Sequence, residues 1–192
     1  MNSESSRPLP FTFVDSHVHL LPAELAAGYR LGYVDEWTVV KLAERVFAAG
    51  NCQVSAIEEL ALLLSDDLDR VPALVAEVET ETNMTDAEER RVWLFLVLQW
   101  VYEHREISAD PMGDLEKVYA DFDYPQEMEP FVPFMPAPAG KSSGPEAIEE
   151  RLRAYLDSRS REYSQRSSQT RPRRPALTRA PLVAAALSLD RP

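Results

Sequence analysis

Residues Val92 to Tyr102 read VWLFLVLQWVY and form the most apolar stretch of the chain. Upstream, Thr85 and Glu88 have the spacing of a capping box, in which each side chain bonds the other residue's backbone N–H at a helix start. We therefore predict a helix from about Asp86 to Arg105. Because its middle is apolar on every side, other helices should enclose it. At 1.5 Å per residue the stretch covers about 16 Å, roughly half of a bilayer core, so no membrane span is predicted.

Helical spacing of apolar residues continues on both sides of this helix. Ser55 and Glu58 have the spacing of a second capping box, and Asp123 is predicted to cap a short helix that begins at Pro125. Six prolines between residues 124 and 145 exclude a regular helix or central strand, so this stretch should lie extended across the bundle. Other helices are predicted at about 22–31, 36–49, 55–64, 66–78, 111–120 and 146–163.

These patterns predict an all-α protein with one domain, an irregular helical bundle over residues 12–163. A disordered leader over 1–11 and a disordered tail rich in Arg and Pro over 164–192 should flank it. The chain is 45% hydrophobic, which is enough for a packed core. Its single cysteine, Cys52, allows no internal disulfide, and its first ten residues lack the apolar run of a secretory signal. We expect a cytoplasmic protein.

Charge is unevenly distributed along the chain. The net charge is −12, with 26 acidic and 9 basic residues up to Gly140, whereas the last 27 residues contain six arginines and one aspartate. An acidic body repels nucleic acid and attracts basic proteins, although solubility alone is a common reason for surface acid. The tail arginines lack interleaved aromatic residues, so we expect no nucleic-acid partner.

The most suggestive catalytic motif is the D-x-H-x-H of Asp15, His17 and His19. It resembles the first-strand metal motif of the amidohydrolase superfamily, since side chains at positions i and i+2 share one face of a strand and imidazoles bind zinc. The barrel fold of that superfamily needs eight strand–helix units, and only one other histidine, His104, is present in this chain. The alternative is that the apolar neighbours pack while both histidines lie at the surface. We expect no metal or other cofactor, and no phosphate-binding loop or nucleophile–base set points to an enzyme.

A segment rich in aromatic and acidic residues follows the predicted helix at 111–120. Five aromatic residues and two methionines lie between residues 119 and 135. Most of them should pack in the core, but within the proline-rich part some must be near the surface. Exposed aromatic residues framed by carboxylates are typical of a partner-binding patch. The residues predicted to contact a partner are Asp121, Asp123, Tyr124, Glu127, Glu129 and Phe131.

The same segment carries a family resemblance. The string VYADFDYP at 118–125, followed by Glu127-Met-Glu129, Phe131 and Met135-Pro136, resembles the signature of a bacterial family, domain of unknown function 2247. The resemblance is expected to run from about Leu21 to Tyr155, which leaves the D-x-H-x-H motif outside. It implies a small, acidic, helical protein without established activity. Such proteins are similar in size and charge to the immunity proteins that neutralise bacterial toxins.

Three functions follow from these observations. The first is a non-enzymatic protein that binds a basic protein partner, such as a toxin domain that it neutralises. The second is a metal-dependent hydrolase that uses the D-x-H-x-H motif. The third is a helical scaffold or adaptor with an unrelated partner.

Overall fold

A computed structural model describes residues 8–50, 53–140 and 142–170, with side chains up to Arg166. Within these ranges the chain is an irregular bundle of α-helices without strands, which confirms the predicted fold class. Cys52 and the tail arginines beyond residue 170 lie outside the described residues. No helix within the described ranges is long and apolar enough to cross a bilayer. The helices are α1 (Phe11–His17), α2 (Pro22–Arg30), α3 (Glu36–Ala48), α4 (Ser55–Ala61), α5 (Val71–Glu81), α6 (Asp86–His104), α7 (Pro111–Asp121) and α8 (Pro145–Thr170).

Helix α6 is the centre of the bundle. The predicted capping box is present, since the Glu88 N–H donates to the Thr85 hydroxyl and the Glu88 carboxylate accepts from the Thr85 N–H. All five side chains from Val92 to Leu96 are at most 2% exposed. Such burial on every side of a helix requires neighbours all round, and α2, α7 and α8 contact it. The prediction that this helix is enclosed is confirmed.

Two predicted caps are wrong. Val54, not Ser55, is the N-cap of α4, and the Ser55 hydroxyl instead donates to Glu81 at 3.0 Å. Asp123 does not cap the short 3-10 helix Gln126–Phe131, whose N-cap is Pro125. In both places the side chain that the local pattern assigned to a cap instead contacts a residue distant in the sequence. Such a tertiary contact can outweigh a cap, which contributes about 1 kcal/mol.

The packed bundle extends beyond the predicted domain bounds, residues 12 and 163, at both ends. Leu9 is 4% exposed, and its N–H donates to the Tyr33 carbonyl at 2.8 Å. Helix α8 was expected to end near Tyr163 but continues to Thr170. Its Arg166 reaches the buried Glu24 of α2 at 2.7 Å. The last turns of α8 are therefore fastened to the opposite end of the chain.

The predicted helix at 66–78 is divided in two. A 3-10 helix spans Ser65–Arg70, and α5 begins at Val71 with Pro72 in its first turn. Pro72 has no N–H to donate, which is harmless at a helix start where that group has no partner anyway. Proline therefore fixes the boundary between the two helices.

Candidate functional site

The segment after α7 turns sharply and has an unusual backbone. The Asp123 N–H donates to the Ala120 carbonyl at 3.1 Å, and the Tyr124 N–H donates to the Tyr119 carbonyl at 2.8 Å. These bonds are those of a Schellman motif, in which a residue of positive φ, usually glycine, ends the helix. Here both Asp123 and Tyr124 have positive φ, at 58° and 59°. Aspartate tolerates this conformation, whereas for tyrosine it costs about 1–2 kcal/mol.

Arg90 of α6 holds this turn. One guanidinium nitrogen lies 3.0 Å from the Asp123 carboxylate, and the other donates to the Asp121 carbonyl at 3.3 Å. The same guanidinium lies 5.8 Å from the ring of Phe122, within range of a cation–π contact. The strained turn is thus linked to the central helix through Arg90. Sequence patterns could not reveal this contact, because Arg90 is more than thirty residues away.

Two aromatic side chains of this segment, one in the turn and one after the 3-10 helix, are exposed to solvent. Tyr124 is 63% exposed and Phe134 is 60% exposed. Both contact the buried Tyr119, at ring-centroid distances of 5.1 Å and 5.9 Å. Two exposed rings therefore contact one buried ring. Sequence analysis placed Phe134 in the aromatic cluster but did not include it among the contact residues.

The predicted carboxylates have different surroundings. Asp121 and Asp123 are exposed, and Glu129 is half-buried. Among the described residues, the carboxylates of Asp121 and Glu129 have no hydrogen-bond or ionic partner. The Glu127 carboxylate already has partners within the protein, because it accepts hydrogen bonds from Arg159 at 2.6 Å and from the Tyr155 hydroxyl at 3.1 Å.

The prediction that Phe131 lies at the surface and contacts a partner is wrong. Phe131 is 1% exposed and lies 5.3 Å from the Tyr155 ring, between the 3-10 helix and α8. Burial also raises the pKa of the Tyr155 hydroxyl, and the neighbouring charge of Glu127 adds to that rise. Phe131, Tyr155 and Glu127 therefore fasten α8 to the segment. We define the aromatic–acidic surface as Asp121, Asp123, Tyr124, Glu129 and Phe134.

The D-x-H-x-H motif has a different structure from the expected strand. Asp15 and His17 lie on α1, while His19 follows that helix and is exposed. The Asp15 carboxylate pairs with Arg45 at 3.0 Å. The ring nitrogens of His17 lie 2.8 Å from the Phe13 carbonyl and 3.1 Å from Glu103. Helix geometry thus points these side chains to separate partners.

The structure matches the apolar part of the alternative, whereas of the two histidines His19 is exposed and His17 is half-buried. Val14, Val18 and Leu20 are all buried, at 7% exposure or less, so the apolar residues of the motif pack in the core. In the part of the chain that the structure describes, no group of three His, Cys, Asp or Glu side chains is arranged to hold a metal ion.

Comparison with known proteins identifies a family without naming an activity. The profile of DUF2247, described as an uncharacterized protein conserved in bacteria, matches residues 11–160. The match begins ten residues before the expected Leu21 and therefore includes α1, whose Phe13 and Val14 are buried. No curated protein and no solved structure matches the chain. This chain belongs to DUF2247, the family that the segment around Tyr124 resembles.

Proposed function

We propose that this protein binds a basic protein partner through the aromatic–acidic surface and has no catalytic role. The observation that carries the proposal is the turn at Asp123 and Tyr124, where two successive residues of positive φ hold a tyrosine out in solvent. Strain of this kind persists only where the surrounding structure enforces it, and it is found mainly at functional sites. The Tyr124 ring nevertheless stays 63% exposed, so the strained turn leaves most of it available to a partner.

The composition of the surface supports a basic partner. Tyr124 and Phe134 supply large rigid rings, and aromatic residues are enriched at protein interfaces, where tyrosine often carries much of the binding energy. The carboxylates of Asp121 and Glu129, which have no partner among the residues that the structure describes, can pair with lysine or arginine of the binding partner. The net charge of −12 adds long-range attraction, which speeds the encounter with a basic protein. The same charge disfavours nucleic acid as a partner.

The most concrete version of this function is an immunity protein that neutralises a bacterial toxin in the cytoplasm. A basic toxin domain would be captured rapidly by the acidic surface and then retained by the aromatic rings. Two features favour this version, the small acidic helical chain and its membership of a bacterial family. A helical adaptor with an unrelated partner would use the same surface, and the identity of the captured protein distinguishes the two.

Charge reversal should abolish partner capture. Tagged full-length protein is incubated with cytoplasmic extract, and bound proteins are eluted with rising salt. We expect a basic partner that salt releases, because ionic strength screens exposed charges over about 10 Å at 0.1 M. In the Asp121→Lys/Glu129→Lys variant we expect retention to fall at least tenfold.

The matched control is Asp69→Lys/Glu77→Lys, which reverses two exposed acids on the 3-10 helix at 65–70 and on α5. It changes the net charge equally but leaves the aromatic–acidic surface intact. Equal loss of the partner in both variants would show that only net charge matters. Recovery of no basic partner by the parent protein would contradict the proposal as a whole.

A further inference from the structure

A cleft of about 340 Å³ lies on the bundle where α6, α7 and α8 meet. Small-molecule sites in proteins have volumes of roughly 300–1,000 Å³ and largely apolar walls with a few polar groups. Leu115 of α7 and Leu152 of α8 line this cleft and are nearly inaccessible, at 2% and 3% exposure. The half-buried Val101 and Met112 add further apolar wall. The cleft therefore suits an apolar body.

Three charged side chains also line the cleft, and two of them neutralise each other. The Arg105 guanidinium lies 3.0 Å from the Glu149 carboxylate, donates to the Tyr102 carbonyl at 2.7 Å, and lies 4.1 Å from the Tyr102 ring. The positive charge of Arg105 therefore already interacts with groups of the protein itself. Glu106 is exposed and, among the described residues, its carboxylate has no partner. One negative charge at the cleft is left uncompensated.

The helix ends that meet here do not reverse this balance. Helix α6 ends beside the cleft, and the C-terminal end of a helix carries a partial negative charge. Helix α7 begins there with a partial positive charge, but the Asp110 carboxylate caps it by accepting from the Gly113 N–H at 2.9 Å. The local field therefore remains negative, as is the field of the whole chain.

We propose that this cleft binds a small molecule that has an apolar body and a cationic amine. The apolar body contacts Leu115, Leu152 and Met112, and the amine pairs with the Glu106 carboxylate. This site is separate from the aromatic–acidic surface, because it lies at the opposite end of α7. Its occupancy is measured without the protein partner, so either proposal can fail while the other holds.

The test is an NMR titration of the full chain with three probes that share one alkyl body, octylamine, octanol and octanoate. We expect saturable chemical-shift changes at Met112, Leu115 and Leu152, with the affinity order amine, then alcohol, then carboxylate. Glu106→Gln should weaken octylamine about threefold to fivefold and leave octanol unchanged, since partly exposed ion pairs contribute about 0.2–1 kcal/mol. Glu116→Gln is the matched control, because this exposed acid of α7 does not line the cleft.

Two results would overturn the proposal. The first is octanoate binding as tightly as octylamine, which would make Arg105 the dominant charge. The second is the absence of saturable shifts at cleft residues with octylamine. Met112→Trp, which places a large ring in the cleft, should abolish binding if the variant folds. If it does not fold, the comparison of Glu106→Gln with Glu116→Gln still decides the question.

Discussion

Replacing Trp93 by alanine is expected to lower the free energy of unfolding by about 4 kcal/mol, the usual cost of removing a fully buried tryptophan. The side chain is 0% exposed, its indole N–H donates to the Glu24 carbonyl at 2.7 Å, and its ring stacks on Tyr33 at 5.6 Å. The neighbouring Gly28 shows how tightly the site is filled, because a Cβ there would lie 2.0 Å from the Trp93 ring.

Urea denaturation followed by circular dichroism measures this effect. Trp37→Ala is the matched control, since that side chain is 51% exposed and its deletion should cost less than about 1 kcal/mol. Similar losses in the two variants would show that Trp93 is not the centre of the core. A loss in Trp93→Ala large enough to prevent folding agrees with the expectation, provided that Trp37→Ala folds normally.

Arg166→Met is expected to cost about 3 kcal/mol at pH 7, because it leaves the buried Glu24 carboxylate without its counter-ion. Glu24 is 2% exposed, and its two oxygens lie 2.7 Å and 2.9 Å from the Arg166 guanidinium. Truncating one partner of a buried pair is costly, whereas replacing both by neutral groups often is not. The double variant Glu24→Gln/Arg166→Met should therefore recover about 2 kcal/mol of the loss.

This cost should depend on pH in a defined direction. Burial raises the pKa of the Glu24 carboxyl, and the hydrogen bond and charge of Arg166 oppose that rise. Removing Arg166 therefore raises the pKa further. An acid whose pKa is higher in the folded state takes up a proton on folding, so the folded protein becomes less stable as pH rises above the ordinary glutamate value. The deficit of Arg166→Met relative to the parent should be largest at pH 7 and shrink towards pH 5.

Denaturation curves of parent and variants at pH 5 and pH 7 measure this dependence. A deficit that is the same at both pH values would show that Glu24 is not the group responsible. In the Glu24→Gln/Arg166→Met background no such pH dependence should remain, which makes the double variant the internal control.

The sequence was sufficient to predict the elements that local physics determines. The α6 helix followed from its capping box and continuous apolar run. Helix α1 was missed, because the alternation of Asp15, His17 and His19 is equally compatible with a strand. Its helical conformation depends on the packing of Phe13 and Val14 against the rest of the bundle, which the local pattern does not show.

Prediction of the candidate site had a similar limit. The sequence located the segment through its aromatic and acidic composition, and three of the residues it predicted to contact a partner, Asp121, Asp123 and Tyr124, are exposed. It could not separate Phe131 from Phe134, although the first is buried and the second exposed, because the proline-rich stretch has no regular period. The ion pairs that Arg90 and Arg159 form with this segment join residues that are distant in the sequence, and no local pattern encodes them.

The most direct test of the binding surface compares stability with partner capture in Tyr124→Gly. Glycine adopts positive φ without strain, so the gain of about 1 kcal/mol should offset the lost ring contact with Tyr119. We predict a free energy of unfolding within about 1 kcal/mol of the parent, together with at least a tenfold loss of the salt-releasable basic partner. Undiminished capture by this folded variant would contradict the account.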